Sequence, residues 1–302
     1  FIYILYLHTY TLGDIKHGMD WTDYQTYDVI MDYTEELQKS FSSQVFLNDI
    51  GNTTEGRTLR IVGFCSSGTC GEKPAMWLDS GTHAREWTSV SSLTYVMNEL
   101  INNQEKYGEI VDELDWYFMP IVNPDGYVYS MEHDSNWRTN RAKHSKCIGV
   151  DINRNFPLNW AESECGDTYA GPEAFSEIES REIATFIKEH LESIKFYNSL
   201  HCYGELILFP WASTKNKFQT EASHYELGKK GLKAITLSSG HGYKIGSAAK
   251  VLYTAKGSSI DYFTKIGIPY VYAMEIGTAF IPNVKEILPL AKDVLGFHVS
   301  IA

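Results

Sequence analysis

The chain has 302 residues, 43% of them hydrophobic, and carries a formal net charge of −12. That length and apolar share suffice for one large α/β domain with a buried core, and the acidic balance excludes a nucleic-acid binder, which relies on a basic face. No run approaches the roughly 18 apolar residues of a membrane helix, since the longest early one, Phe1 to Leu7, stops at His8. The chain starts with Phe, and no basic segment precedes that run. Residues 1–18 are therefore expected to be an N-terminal extension or the leftover of an upstream activation segment, with a single domain over 19–302.

Taken in chain order, apolar periodicity predicts a helix over 22–40, strands over 59–64 and 75–79, a helix over 87–104 and a strand over 116–122. Ser176 and Glu179 then form a capping-box pattern around Ile178, Ile183, Phe186 and Ile187, whose spacing gives one apolar helical face. Strands are expected at 196–200, 206–211 and 270–275, and helices at 221–238, 258–266 and 284–298, with Pro289 at the first helical position after one preceding turn. Several strands are apolar throughout, as in a sheet covered on both faces, and their alternation with helices gives an α/β fold. Nothing repeats, and no Pro- or Gly-rich linker divides the chain.

Cysteine usage points to an oxidising compartment. Cys65 and Cys70 bracket a short turn-rich segment and Cys147 and Cys165 flank a polar loop, so both pairs are predicted as disulfides, with Cys202 left over. Connectivity is not fixed by one sequence, and five reduced thiols are the alternative. Asn52-Thr53-Thr54 is a glycosylation sequon that agrees with secretion, although such triplets also arise by chance.

The chemistry starts where strand 75–79 runs into the polar turn Ser80-Gly81-Thr82-His83-Ala84-Arg85-Glu86-Trp87. With 10 His and 38 acidic residues, about one His with an acid three positions later arises by chance, and a lone His at a strand end is usually structural. Meaning has to come from elsewhere in the chain. His201, after strand 196–200, adds a third donor. A His-Glu-His set with one open position is what zinc hydrolysis uses, because the metal lowers the pKa of water toward about 7 and polarises a carbonyl. Glu275 ends the apolar strand 270–275, a poor place for a charge unless it is paired or works on a ligand, and is a candidate general base. Asp151-Ile152-Asn153-Arg154-Asn155-Phe156 offers a guanidinium and an amide beside an acid, and Asn136-Trp137-Arg138 offers a second guanidinium.

In their order, His83-Ala84-Arg85-Glu86-Trp87, Asn123-Pro124-Asp125-Gly126-Tyr127, Trp137-Arg138, Asp151 to Phe156, Ser199-Leu200-His201-Cys202-Tyr203, Tyr253, Gly257-Ser258-Ser259-Ile260-Asp261 and Glu275 resemble the pancreatic-type zinc metallocarboxypeptidases, the carboxypeptidase A and B family. The resemblance runs from about Trp21 to the C-terminus. It implies a single-domain α/β fold with an eight-stranded mixed sheet, helices on both faces and a deep pocket at the strand ends. It also implies one zinc ion held by His83, Glu86 and His201, with Asp151 orienting the first His. Arg138 corresponds to the residue that polarises the scissile carbonyl and steadies its oxyanion, and Glu275 to the general base that activates water. Asn153, Arg154 and Tyr253 correspond to the clamp on the substrate's terminal carboxylate, with Tyr253 on a loop of small residues able to move over it. Arg85, Tyr203 and Phe280 correspond to contacts along the groove.

The position that carries an acid in the basic-specific branch of the family is Ile260, and the other residues that map to the pocket, Leu208, Ala212, Ala248, Leu252 and Ala273, are apolar. The resemblance thus implies a carboxypeptidase A-like preference for aliphatic or aromatic C-terminal residues. This chain departs from the pattern at Ser135, where an Arg is usual, at Ala273, which replaces a polar residue, and in a shortened segment from Glu275 to Pro282. Lys256, close to Tyr253, would suit a preference for acidic C-terminal residues instead. What is expected is a secreted, monomeric digestive or processing exopeptidase released from a zymogen, acting on peptide and protein C-termini and open to its own propeptide and to protein inhibitors. The competing class is an inactive carboxypeptidase-like binding module, which would lack a zinc ligand or the base, and here all are present.

Overall fold

The computed structural model describes residues 18–145 and 147–302, so the expected extension over 1–18 lies outside the described residues apart from Gly18. Helix α1 (Tyr27–Ser40) leads into the antiparallel pair β1 (Val45–Asn52) and β2 (Thr58–Phe64). There follow β3 (Ala75–Asp79), α2 (Trp87–Asn102), α3 (Gly108–Glu113), β4 (Asp115–Met119), α4 (Pro124–Glu132) and a small hairpin of β5 (Lys143–His144) and β6 (Cys147–Ile148). Next come α5 (Ile178–Glu189), β7 (Ile194–His201), β8 (Leu206–Phe209), α6 (Glu221–Ser238) and β9 (Lys244–Ser247). The chain ends with α7 (Ala248–Val251), α8 (Ser259–Ile266), β10 (Tyr270–Glu275) and α9 (Ile287–Ile301).

Eight strands form one mixed sheet in the order β1-β2-β4-β3-β7-β10-β8-β9. The four central strands run parallel, while β2 against β4 and β8 against β10 are antiparallel. From β3 the chain crosses to β4 on one side, whereas β7 lies on the other, and where the order reverses, a crevice opens at the carboxyl ends of the strands. That crevice holds the site.

Both faces of the sheet are covered, which is why its central strands read as unbroken apolar runs. Because side chains alternate along a strand, Met76, Leu78, Tyr272 and Met274 pack into one core with residues of α2, α6 and α9. Ala75, Trp77, Val271 and Ala273 face the other core, built with α5 and α8. Each fully buried large side chain, Trp77 and Phe263 among them, contributes roughly 1.5–3 kcal/mol through removal of apolar area from water. Among the described residues no helix is long and apolar enough to cross a membrane.

The departures from periodicity have local causes. Strands β4 and β8 stop at Met119 and Phe209, short of the expected ends, because Pro120 and Pro210 follow and have no N–H to give the ladder. Strand β1 escapes the pattern because it is an edge strand with a bulge between Asp49 and Gly51 that breaks the alternation. Helix α1 starts at Tyr27 rather than at 22, since Thr26 takes the N-cap and accepts from the Val29 N–H. The capping box does not form either: Glu177 is the N-cap of α5, and the Ser176 hydroxyl donates to its carboxylate at 2.6 Å. Helix α9 begins at Ile287, so Pro289 is its third residue, not its first, a place where an N–H would have no intrahelical acceptor anyway.

Cys65 is bonded to Cys70 and Cys147 to Cys165, while Cys202 is free and buried. The second bridge closes a separation of 18 residues, which restricts the unfolded chain by about 3 kcal/mol and ties β6 to the loop before Asp167, the acid paired with Arg85.

Candidate active site

Strand β3 delivers the first two donors through Gly81, whose φ of +65° and a would-be Cβ only 2.9 Å from Val90 Cγ2 leave room for no side chain. His83 follows in the turn, and Glu86 is the N-cap of α2, where the helix dipole favours a carboxylate. His201 is the last residue of β7, the strand next to β3. All three are buried, and their ligand atoms lie within 4.8 Å of one another. His83 Nδ1 is 2.8 Å from Glu86 Oε1, His201 Nδ1 is 3.0 Å from Glu86 Oε2, and the two ring nitrogens are 3.1 Å apart.

Two imidazole nitrogens and a carboxylate converging on one buried point are the donor chemistry of zinc. Nitrogens bound tetrahedrally at about 2.0–2.1 Å would stand about 3.3 Å apart, so the residues present fit the ion. Burial by itself would push the Glu86 carboxyl up, but the His83 and His201 charges outweigh it and hold the group below the usual range. Burial likewise disfavours the His201 imidazolium, and Glu86 reverses that effect and raises its pKa.

Each ring is held from behind. His83 Nε2 meets Asp151 Oδ1 at 3.2 Å, and the other oxygen of Asp151 accepts from Arg138 Nη2 at 2.9 Å and Nε at 3.1 Å. Burial opposes the charge of Asp151, yet the Arg138 and Arg154 guanidiniums keep its carboxyl well below the ordinary range. His201 Nε2 meets Ser199 Oγ at 3.1 Å, which donates to Asp79 Oδ1 at 2.6 Å; Trp77 Nε1 donates to Asp79 Oδ2 at 2.8 Å. Sequence reasoning missed this second relay. Its signal was available: Ser199 and His201 share one face of β7, and Asp79 is a charge at the end of an apolar strand.

Arg138 is anchored through its backbone too, its carbonyl accepting from the Ala84 N–H at 2.9 Å in the turn that carries His83. Asp151 caps the short turn Ile152–Arg154 by accepting from Asn153 N–H at 2.9 Å, which fixes Asn153 and Arg154 beside it. Arg154 Nη1 donates to the Asn153 carbonyl at 2.9 Å and Nη2 to Tyr253 Oη at 3.3 Å. Glu275 ends β10 opposite His201 in register, and among the described residues no hydrogen bond or ion pair engages its carboxylate. Burial, opposed by His201 and reinforced by Glu86, raises its pKa to about 7.

These groups line one cavity of about 410 Å³ that includes His83, Arg85, Glu86, Arg138, Asn153, Arg154, His201, Tyr203, Tyr253, Glu275 and Phe280. Its apolar wall is Leu208, Ala212, Ala248, Leu252, Ile260 and Ala273, with Ala255, Ser258 and Cys202 also on the surface. Asp151 stands behind this lining rather than in it. Asp261, beside Ile260, is turned away and spent on the backbone, accepting from Ala212 N–H at 2.6 Å and Ser213 N–H at 2.9 Å. Lys256 is not on the cavity wall. Arg85 lies 4.4 Å over the Phe280 ring, and Phe280 meets Tyr203 edge to face at 4.9 Å, so these three form one rim cluster.

The zinc carboxypeptidase family model matches residues 30–296. The chain belongs to the zinc carboxypeptidase family. It is 34% identical over 288 residues to carboxypeptidase B of Astacus astacus, covering 91% of this chain and 94% of that one. Rat (Rattus norvegicus) carboxypeptidase A2 is 34% identical over 287 residues, covering 89% of this chain and 67% of the relative. Among solved structures, carboxypeptidase A from Helicoverpa armigera superposes with a TM-score of 0.88 at 28% identity, over 93% of this chain and 74% of that one. Bovine thrombin-activatable fibrinolysis inhibitor, in complex with tick carboxypeptidase inhibitor, gives 0.86 at 28% identity over 93% and 97%. This zinc carboxypeptidase is accordingly a metallohydrolase that cleaves from the C-terminus, on the single α/β domain and eight-stranded mixed sheet of its relatives.

Proposed function

We propose that this carboxypeptidase removes aliphatic or aromatic C-terminal residues, with one zinc ion held by His83, Glu86 and His201. The observation that carries the reading is one cavity lined by a His-Glu-His triad, by the Arg154 guanidinium and by an apolar wall of Leu208, Ile260 and alanines. The ion would supply a Lewis acid to the scissile carbonyl and to the attacking water. Glu275 takes the proton of that water and passes it to the leaving amine, a task suited to a carboxylate with no competing partner. Arg138, locked on Asp151, points a fixed guanidinium at the carbonyl oxygen as its charge develops. Asn153, Arg154 and Tyr253 hold the terminal carboxylate, which restricts the enzyme to free C-termini. Arg85, Tyr203 and Phe280 contact the peptide upstream of the cleaved bond.

Ile260 and the alanines on the cavity wall leave a Lys or Arg side chain without a counter-ion, and Asp261 is unavailable to supply one. Lys256 lines not this cavity but an adjoining one that shares Arg154 and Tyr253 with it, so a side chain seated among Ile260 and the alanines meets apolar atoms first, which favours the apolar preference over the acidic one. Rates on peptides ending in Phe, Leu, Glu, Arg and Lys test the assignment, and faster release of Lys or Arg than of Phe or Leu would sink it. The two disulfides are consistent with secretion, and a domain over 19–302 released from a zymogen and met by its own propeptide or by protein inhibitors completes the proposal.

A further inference from the structure

Arg138, Asp151, Asn153 and Arg154 all lie on the stretch 138–155, and two buried amides bracket the part that bends around the site. Asn140 Oδ1 accepts from Val150 N–H at 2.8 Å and Ala142 N–H at 3.2 Å, which closes the hairpin between Arg138 and Asp151. Its Nδ2 donates to Glu177 Oε2 at 2.6 Å and lies 3.4 Å from both oxygens of Glu179. Asn155 Oδ1 accepts from Glu177 N–H at 3.1 Å and Ser180 Oγ at 2.7 Å, while its Nδ2 donates to Ser176 Oγ at 2.9 Å. The reactive stretch is thus hung at two points on the first turn of α5, and all four anchoring side chains, Asn140, Asn155, Glu177 and Glu179, are at most 2% exposed.

Two carboxyl groups facing one amide in the interior cannot comfortably both ionise. Glu177 has two partners besides that amide, accepting from Ser176 Oγ at 2.6 Å and meeting His144 Nε2 at 2.8 Å. Glu179 shares the Asn140 amide and otherwise accepts from its own backbone N–H. Burial first, then Glu177 and Asp125, push its pKa up to about 8. The charges around it are Glu177 on its own helix turn, His144 beyond Glu177 on β5, and Asp125 on α4, which is itself paired with Arg57 at 2.8 Å.

We propose that Asn140, Glu177 and a neutral Glu179 are positioning residues that set the aim of Arg138 and of the Asn153 and Arg154 clamp, and that ionisation of Glu179 loosens this anchor. The inference rests on the roles proposed above for Arg138 and Arg154. Acting through those residues, the anchor affects transition-state and carboxylate binding together, so both kcat and KM respond.

The test is steady-state kinetics on a peptide ending in Phe from pH 5 to 10, with bound zinc and melting temperature measured on each variant. Asn140→Ala is expected to lose roughly tenfold or more in kcat/KM, shared between kcat and KM, while it keeps a full complement of zinc. Glu179→Gln, the neutral isostere, is expected to lack the decline in kcat/KM that the parent shows as pH rises past about 8. Superimposable pH profiles for parent and Glu179→Gln overturn the inference, as does a folded, zinc-loaded Asn140→Ala within twofold of the parent. Should Asn140→Ala fail to fold, the Glu179→Gln profile decides alone. Arg138→Ala in the same series separates the layers: intact turnover there overturns the role of Arg138 and the anchor with it, whereas a crippled Arg138→Ala beside an unaltered Asn140→Ala overturns the anchor only.

Discussion

Two parts of the cavity lining are held in different ways. At the metal end, His83, Glu86 and His201 are at most 4% exposed, sit at strand ends or a helix N-terminus, and have a partner behind every ring. At the proposed clamp, Tyr253 is 51% and Leu252 is 42% exposed on the segment after α7, and Tyr253 meets Arg154 through a 3.3 Å hydrogen bond, with its ring centre 5.9 Å from the guanidinium. Buried donors together with an exposed Tyr253 suit the proposed exopeptidase, since the chemistry needs fixed donors while each new C-terminus must enter and leave.

The sharpest way to break that contrast is to attack the fixed end. Glu275→Gln keeps the shape of the side chain but removes the proton acceptor, and a loss of about 10³-fold or more in kcat is expected with zinc content unchanged. Glu86→Gln should lose the ion itself, so that activity and bound zinc fall together in metal analysis. Turnover near the parental rate in Glu275→Gln would refute its assignment as the base.

The clamp end should yield a smaller and differently distributed loss. Arg154→Ala removes a charge-assisted grip on the terminal carboxylate and should cost about 10²-fold in kcat/KM, most of it in KM. Tyr253→Phe removes one hydroxyl from an exposed position and should cost tenfold or less. A Tyr253→Phe variant as damaged as Glu275→Gln would mean that the exposed loop is as preorganised as the metal centre, and the contrast would fail.

The same contrast governs what could be read from the sequence. The strands at 75–79 and 270–275 match the structure residue for residue, because two-face burial makes their apolar runs unambiguous, and the helix at 221–238 matches at both ends as well. The side chains brought together in the cavity were legible through motifs rather than periodicity, since His83 and His201 lie 118 positions apart and only the fold joins them. What stayed hidden was whatever depends on register. Ser199 and Asp79 stand out in the sequence only by their places on their strands and become partners once β3 and β7 pair them, and Asn140 and Asn155 gain their roles under the first turn of α5. Edge strands β1 and β9 were hidden because a bulge in one and the four-residue length of the other leave little periodic signal.

The relay behind His201 sharpens the comparison from within the metal end. His83 is oriented directly by a carboxylate and His201 through a hydroxyl, so Ser199→Ala leaves His201 in place but frees its ring and tautomer. A loss of 10–100-fold in zinc affinity is expected, measured by competition with a chelator. An affinity equal to the parent's would reduce Ser199 to a packing residue.

The smallest effect concerns stability, and its sign follows from proton counting. The Glu179 carboxyl binds its proton more tightly in the folded chain, with a pKa of about 8, than in the unfolded one, where 4.5 is the reference. Below about 4.5 both states are protonated and its contribution is fully present; as pH rises toward about 8 the unfolded state sheds the proton first, so stability falls, and above that the loss is complete. The melting temperature of the parent should therefore decline between pH 5 and 8 relative to Glu179→Gln, by an amount corresponding to a few kcal/mol at most. Parallel curves for the two proteins across that window would mean that Glu179 is already ionised in the fold, with Asn140 and the His144 side of the cluster sufficient to hold two buried charges.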